Sequence, residues 1–160
     1  MNAHKILIYT FCLLGMILIH ESDGKTCQQN GARSYHLRRV GNPKTWNVRK
    51  MSSSLEIRLS FQRNPTTWFF NGSHLYCCHK NDAYYMVVNR DERVELSESS
   101  KANDSWQLSH VSKMNKKVFL HESSKMYLTA KSDCDLTAKR KRLCLSKELK
   151  HAMIDVEELS

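Results

Sequence analysis

Side chains that could carry acid–base or nucleophilic chemistry are plentiful in this sequence but scattered. Eight histidines occur, two of them before residue 24, and none of the others has a carboxylate at a fixed short spacing that would orient it as a general base. No Gly-x-Ser-x-Gly motif is present to expose a serine nucleophile. Carboxylate pairs such as Asp91-Glu92 and Glu157-Glu158 are adjacent in sequence, which turns them apart on a strand. The pattern predicts neither an enzyme nor a cofactor site.

Five cysteines follow residue 24 and are candidates for disulfides. An odd number leaves at least one thiol without an intramolecular partner. Two of the five are adjacent on an expected strand, so they point to opposite faces and at most one of them faces the core. Because no Cys-x-x-Cys or His-x-x-x-His pair lies near them, no metal site is predicted. The five are Cys27, Cys77, Cys78, Cys134 and Cys144.

Residues 1–24 have the pattern of a secretory signal peptide. Lys5 precedes an apolar run over 6–19, and small and polar residues follow it. We expect cleavage near Gly24, which leaves a flexible arm over 25–34 and a single domain over 35–160. No second apolar stretch of membrane length follows, so the predicted product is secreted and extracellular, with no membrane insertion after cleavage.

The mature chain is strongly basic. Removing residues 1–24 takes away one lysine, one glutamate and one aspartate, which raises the formal net charge from +9 to +10. Such a charge favours acidic partners, of which secretion makes heparan sulfate or an acidic receptor more suitable than nucleic acid. Two sequons predict N-glycosylation at Asn71 and Asn103. The candidate residues for binding heparan sulfate are Lys113, Lys116, Lys117, Lys139, Arg140, Lys141 and Arg142.

Short apolar runs separated by turn residues predict an all-β chain. Residues 55–61 alternate between apolar and polar side chains, and Asn71-Gly72 is a strong hairpin signal. Aromatic residues at strand positions, Tyr84 among them, are interpreted as core side chains rather than as a ligand platform. The last segment, 145–159, fits a helix or a strand, with strand favoured. The other strands are expected near 35–37, 46–48, 55–61, 68–70, 75–78, 84–88, 94–96, 106–108, 118–120, 126–130, 136–138 and 143–145.

The sequence also repeats itself with a shift of 43 residues, which aligns 75–77 with 118–120 and 84–86 with 127–129. A period of about 40 residues indicates similar units that share one core, because a single unit cannot bury its apolar face alone. The strands then group as 35–74, 75–116 and 117–158. Three four-stranded units closing on a common core make a β-trefoil, which is the predicted fold, and a β-sandwich is the alternative.

Three stretches of the sequence resemble interleukin-1 family cytokines: 35–49 with its Lys44-Thr45-Trp46, 84–96 with its Asp91-Glu92, and 119–133 with its Tyr127-Leu128. The resemblance spans most of residues 35–140, and the expected signal peptide points to the secreted antagonist branch. It implies a monomeric ligand of an immunoglobulin-type receptor ectodomain, acting as agonist or antagonist. By position, the receptor contacts implied are Arg38, Arg39, Asn42, Arg58 and Lys147.

A second resemblance is to fibroblast growth factors. Residues 75–77 and 127–130, followed by Cys144, are similar to segments of that family. This resemblance implies a heparan-sulfate-binding signalling protein that uses the basic positions given above. It is the alternative to the cytokine prediction.

Overall fold

Alternating apolar residues fold into strands throughout the computed structural model, which describes residues 27–112, 115–130, 143–149 and 154–160. The described residues are mainly strands, and the one complete helical element among them is a single 3-10 turn at Ala102–Asp104, so the all-β prediction is confirmed. The predicted signal peptide, Lys113, Cys134, the expected strand at 136–138 and the basic run 139–142 lie outside the described residues. The strands are β1 (Arg33–Arg39), β2 (Thr45–Lys50), β3 (Leu55–Ser60), β4 (Trp68–Phe70), β5 (Leu75–His79), β6 (Asp82–Val88), β7 (Val94–Ser97), β8 (Trp106–Val111), β9 (Lys116–His121), β10 (Met126–Thr129), β11 (Cys144–Ser146) and β12 (Ile154–Leu159).

Two antiparallel sheets contain all of these strands. The larger runs β3-β2-β1-β4-β5-β6-β7, with β12 also paired to β1, and the smaller runs β11-β10-β9-β8. The sheets are linked where the Trp106 amide donates to the Ser73 carbonyl at 2.7 Å. Within the described residues, no helix has the length and apolarity needed to cross a bilayer.

Strand β1 is the branch point of the larger sheet. One edge pairs with β12 along its length, from Ser34 opposite Leu159 to Arg39 opposite Ile154. The other edge is shared between β4 and β2, which curls the sheet toward closure. The final segment, 154–159, is therefore a strand as favoured, because it supplies the partner that this edge of β1 requires.

The core holds three fully buried tryptophans, Trp46, Trp68 and Trp106. The indole of Trp68 on β4 donates to the Trp46 carbonyl on β2 at 2.9 Å. The indole of Trp106 on β8 donates to the Met86 carbonyl on β6, also at 2.9 Å. The same type of hydrogen bond therefore recurs in two successive parts of the chain, about 40 residues apart.

A buried asparagine holds the loop between β3 and β4. The side-chain amide nitrogen of Asn47 lies within hydrogen-bonding distance, 2.8 to 3.2 Å, of the carbonyl and hydroxyl oxygens of both Thr45 and Ser60. Its carbonyl oxygen accepts from the Thr66 amide at 2.8 Å. Every polar atom of this side chain has a partner, as burial without exposure to water requires.

The N-terminal segment is tied to β5. A disulfide joins Cys27 to Cys78, while Cys77 is a buried free thiol, so the two adjacent cysteines face opposite ways as predicted. Burial raises the pKa of the Cys77 thiol to about 12, which keeps it protonated and unreactive. Cys144 is also disulfide-bonded. The Gln29 amide donates to the Tyr76 hydroxyl at 3.0 Å, which places the segment over an aromatic ring.

Candidate functional site

Four of the residues implied as receptor contacts lie between β1 and β3, and the fifth, Lys147, follows β11. Arg39 ends β1 and Asn42 lies in the turn that follows, where the Asn42 backbone amide donates to the Arg39 carbonyl at 3.1 Å. Arg38 pairs with Glu157 on β12 at 2.7 Å, and Arg58 pairs with Glu56 on its own strand at 2.6 Å. Lys147 is exposed after β11. The guanidinium groups of Arg38 and Arg58 are thus each engaged by a carboxylate of this chain.

The two described members of the heparan sulfate set are also paired. Lys116 contacts Asp155 at 2.7 Å, and Lys117 is hydrogen-bonded to Glu158. Both acids lie on β12, so the two lysines at the start of β9 are neutralised by the strand that packs beside it. Arg33 on β1 reaches Glu158 from the other side at 3.9 Å. This arrangement fastens β12 between β1 and β9.

The β12 ion pairs predict a pH dependence of stability. The hydrogen bond from Lys117 lowers the pKa of the Glu158 carboxyl, so its contribution is present above the unfolded glutamate pKa of about 4.3. It is lost as the pH falls through the folded value. We expect the Glu158→Gln variant to be less stable than the parent protein at pH 7. Between pH 7 and pH 3, its free energy of unfolding should fall by less than that of the parent protein.

Urea unfolding at both pH values measures this difference. Glu122→Gln, a change at an exposed residue of the β9–β10 turn, is the matched control. Equal losses for the Glu158 and Glu122 variants over this pH range would show that the β12 pairing contributes nothing.

A polar cleft opens where the β2–β3 turn meets the β5–β6 turn. We name it the Tyr84 cleft; it has a volume of about 380 Å³. The serine run 52–54 forms one wall, and β6 forms its aromatic floor. Its other chemically distinctive residues are Lys50, His79, Lys80, Tyr84 and Glu98.

The β5–β6 turn positions one rim of this cleft. His79 pairs with Asp82, so Lys80 and Asn81 form a two-residue loop. Their φ angles of 52° and 72° are both left-handed, which is the signature of a type I′ hairpin turn. Such a turn matches the strand twist and holds its residues in fixed places. Lys80 is therefore presented at the rim by rigid backbone.

Tyr84 has two environments. One part of the ring packs against the hydrophobic core, and another part lines the cleft. Its hydroxyl donates to the Glu98 carboxylate at 3.4 Å, and the His79 ring lies edge-on to it with centroids 6.2 Å apart. Partial burial, followed by the Glu98 carboxylate, raises the pKa of the Tyr84 phenol. The phenol therefore remains a hydrogen-bond donor at neutral pH.

A second cleft, of about 270 Å³, lies at the next hairpin junction, between the β6–β7 and β9–β10 turns. We name it the His121 cleft. The buried His121 ring shares a 2.9 Å hydrogen bond with the Ser124 hydroxyl, and burial lowers the pKa of this imidazole. The predicted glycosylation site Asn103 is exposed at its rim. Apolar Val88, Met126 and Leu145 fill much of the remaining lining.

The other predicted glycosylation site, Asn71, is engaged in a turn. Its side-chain carbonyl oxygen accepts hydrogen bonds from the backbone amides of Ser73 and His74, at 3.1 and 2.8 Å. Its amide nitrogen donates to the Gln29 side chain at 2.6 Å.

Hydrogen bonding and ring stacking are the chemistry that the Tyr84 cleft offers. Across the described ranges, no three histidine, cysteine or carboxylate side chains gather as a set that could hold a metal ion. Sequence reasoning assigned Tyr84 to the core alone and did not single out Lys50, His79, Lys80 or Glu98. The signal that could have located this rim is Asn81, a residue favoured in tight hairpin turns, directly after Lys80.

No protein-family model and no curated protein matches this chain in sequence. Solved structures with a similar fold include SeviL bound to asialo-GM1 saccharide, at 12% identity and a TM-score of 0.57, covering 81% of this chain and 98% of that one. The lysenin pore is also similar, at 10% identity and a TM-score of 0.57, covering 81% of this chain and 47% of that one. This chain thus corresponds to about half of the lysenin chain.

These likenesses concern the fold and correct the predicted function. The prediction of an interleukin-1-type receptor ligand, with a fibroblast-growth-factor-like protein as its alternative, is wrong, because the similar structures are a saccharide-bound protein and a pore rather than cytokines. The apolar spacing behind those resemblances reflects strands packed on a common core. Barrel-like β-structure is what this chain shares with the two known structures.

Proposed function

We propose that this protein is a secreted β-trefoil that binds carbohydrate in the Tyr84 cleft. The observation that carries the proposal is the cleft itself, in which a rigidly held tyrosine ring is surrounded by hydroxyl, carboxylate and ammonium groups. Sugars present apolar C–H faces beside hydroxyls, so a ring edged with hydrogen-bonding groups suits them. The saccharide bound to the similarly folded SeviL adds support.

The strand pairing supports the trefoil part of the proposal. Taken four at a time, the twelve strands give three units, β1–β4, β5–β8 and β9–β12. In each unit the second and third strands form a hairpin, namely β2–β3, β6–β7 and β10–β11. The outer strands pair with neighbouring units, as β4 does with β5, β8 with β9, and β12 with β1. The hydrogen bond from a tryptophan indole to a backbone carbonyl occurs once within the first unit and once within the second.

The disulfides support secretion. Cys27 is joined to Cys78 across 51 residues of sequence, and such bonds persist in oxidising compartments. The signal-peptide pattern of residues 1–24 agrees with this location. A saccharide on a cell surface or in the extracellular matrix is the ligand type available there.

Substitution at Tyr84 tests the function. We expect Tyr84→Ala to weaken saccharide binding by roughly 30-fold, the effect of removing a central aromatic anchor worth about 2 kcal/mol. Tyr84→Phe keeps the stacking face but loses the hydroxyl, so we expect a smaller loss. An array of immobilised glycans identifies the ligand, and calorimetry with that ligand measures the change.

Tyr127→Ala is the matched control, because Tyr127 aligns with Tyr84 in the repeat and does not line the Tyr84 cleft. Thermal unfolding of each variant separates lost binding from lost folding. A folded Tyr84→Ala variant that binds as tightly as the Tyr127 control would remove the cleft from the proposal. The absence of any glycan binding by the parent protein would end it.

A further inference from the structure

We infer that the saccharide of the Tyr84 cleft is anionic, and that Lys50 and Lys80 hold its sulfate or carboxylate group. This inference rests on the proposed function and specifies the class of ligand. It starts from the distribution of charge around the cleft rather than from the total charge of the chain.

The two lysines of the cleft differ from four of the cations described above. Lys116, Lys117, Arg38 and Arg58 each contact a carboxylate. Neither Lys50 nor Lys80 takes part in an ion pair within the described residues. The ammonium groups at this rim are therefore available to an anion from outside.

One carboxylate shares the lining with these two cations. Glu98 accepts the hydrogen bond of the Tyr84 hydroxyl, which partly occupies it. Asp82 follows the turn but does not line the cleft. Two lysines against one engaged carboxylate leave an excess of positive charge, and a concave site strengthens the resulting attraction.

The backbone of Lys80 allows its charge to be removed without cost to the turn. Its φ of 52° lies in the left-handed region, which is unfavourable for a lysine and common for asparagine or glycine. Asn81, beside it, is a residue that such turns prefer. A lysine at this position does not serve the turn, and its outward charge is the property that distinguishes it from the favoured residues.

The experiment exploits this conflict between folding and charge. Lys80→Asn installs a residue favoured by the turn while it removes the ammonium group. We expect thermal stability to be unchanged or higher, and affinity for an anionic saccharide to fall about tenfold, as for loss of one charge-assisted contact. We expect Lys50→Gln to lower the affinity similarly, and raised salt to weaken parent binding.

Lys125→Asn is the matched control. Lys125 also has a left-handed backbone, with φ of 56°, and is exposed in the β9–β10 turn outside the Tyr84 cleft. The same substitution there should leave saccharide affinity unchanged. The ligands are oligosaccharides of matched length in sulfated, carboxylated and neutral forms, so the first two arms identify the anionic group.

The outcomes distinguish a failure of the anionic-ligand inference from a failure of the proposed carbohydrate binding. Preference for a sulfated or carboxylated form, lost in Lys80→Asn and kept in Lys125→Asn, supports it. Equal binding of neutral and anionic forms, or equal affinities of the two asparagine variants, overturns the inference and leaves carbohydrate binding intact. Failure of every saccharide class to bind overturns both.

Discussion

Replacing Trp68 by alanine is expected to destabilise this protein by about 3–5 kcal/mol, the range for truncating a buried tryptophan. The side chain is fully buried, so its loss leaves a cavity within close-packed surroundings. The Trp46 carbonyl also loses the indole that donates to it. Because total stability of a small domain is about 5–15 kcal/mol, the variant should sit near the threshold of unfolding.

Urea unfolding measures the loss, and Trp68→Phe separates its two causes. Phenylalanine keeps most of the apolar volume but cannot donate, so a cost of about 1–3 kcal/mol is expected from the orphaned carbonyl and the smaller ring. Phe61, which is 66% exposed, is the control, with a cost of about 0.5 kcal/mol or less on replacement by alanine. If Trp68→Ala costs no more than the Phe61 variant, the described core packing is incorrect.

Removing the Cys27–Cys78 disulfide is the second change for which a large effect is expected. In the double variant Cys27→Ser/Cys78→Ser we expect a loss of about 2–4 kcal/mol, because the bond closes a long loop that restricts the unfolded chain. The N-terminal segment should also be held less firmly against β5, since it then depends on the hydrogen bonds that Gln29 makes with Tyr76, Tyr85 and Asn71.

The double variant is preferable to reduction of the parent protein, because a reductant also opens the bond that contains Cys144. Unfolding in urea should show a lower midpoint together with a steeper slope, as the freed unfolded chain exposes more surface. Near-zero loss with an unchanged slope would contradict the role assigned to this cross-link. Both cysteines are replaced so that no single reactive thiol remains.

Local sequence patterns predicted the strands well, because a half-buried strand must alternate its side chains wherever it lies in the fold. The adjacent Cys77 and Cys78 follow the same rule, one inward and one toward Cys27. The final segment, 154–159, was ambiguous from its own residues. Its strand conformation comes from pairing with β1, more than a hundred residues earlier, which no local period records.

The functional residues were harder to predict, since they depend on contacts between distant segments. Lys116 and Lys117 looked available to a polyanion in a count of charges, but acids on β12 occupy them. Tyr84 looked like a core residue, and part of its ring is. The cleft beside it exists only because the turn at Lys50–Ser54 meets the turn at Lys80.

The pairing of β1 with β12 carries a consequence for how the chain acquires its shape during synthesis. Strand β1 cannot complete its hydrogen bonds until residues 154–159, more than a hundred residues later, have been synthesised, so this edge of β1 stays unpaired in the meantime. Assembly should therefore be slow and governed by this long-range closure. Because Ser34 lies opposite Leu159, the domain over 35–160 is also a good subject for circular permutation, with new termini opened in the exposed 51–54 turn.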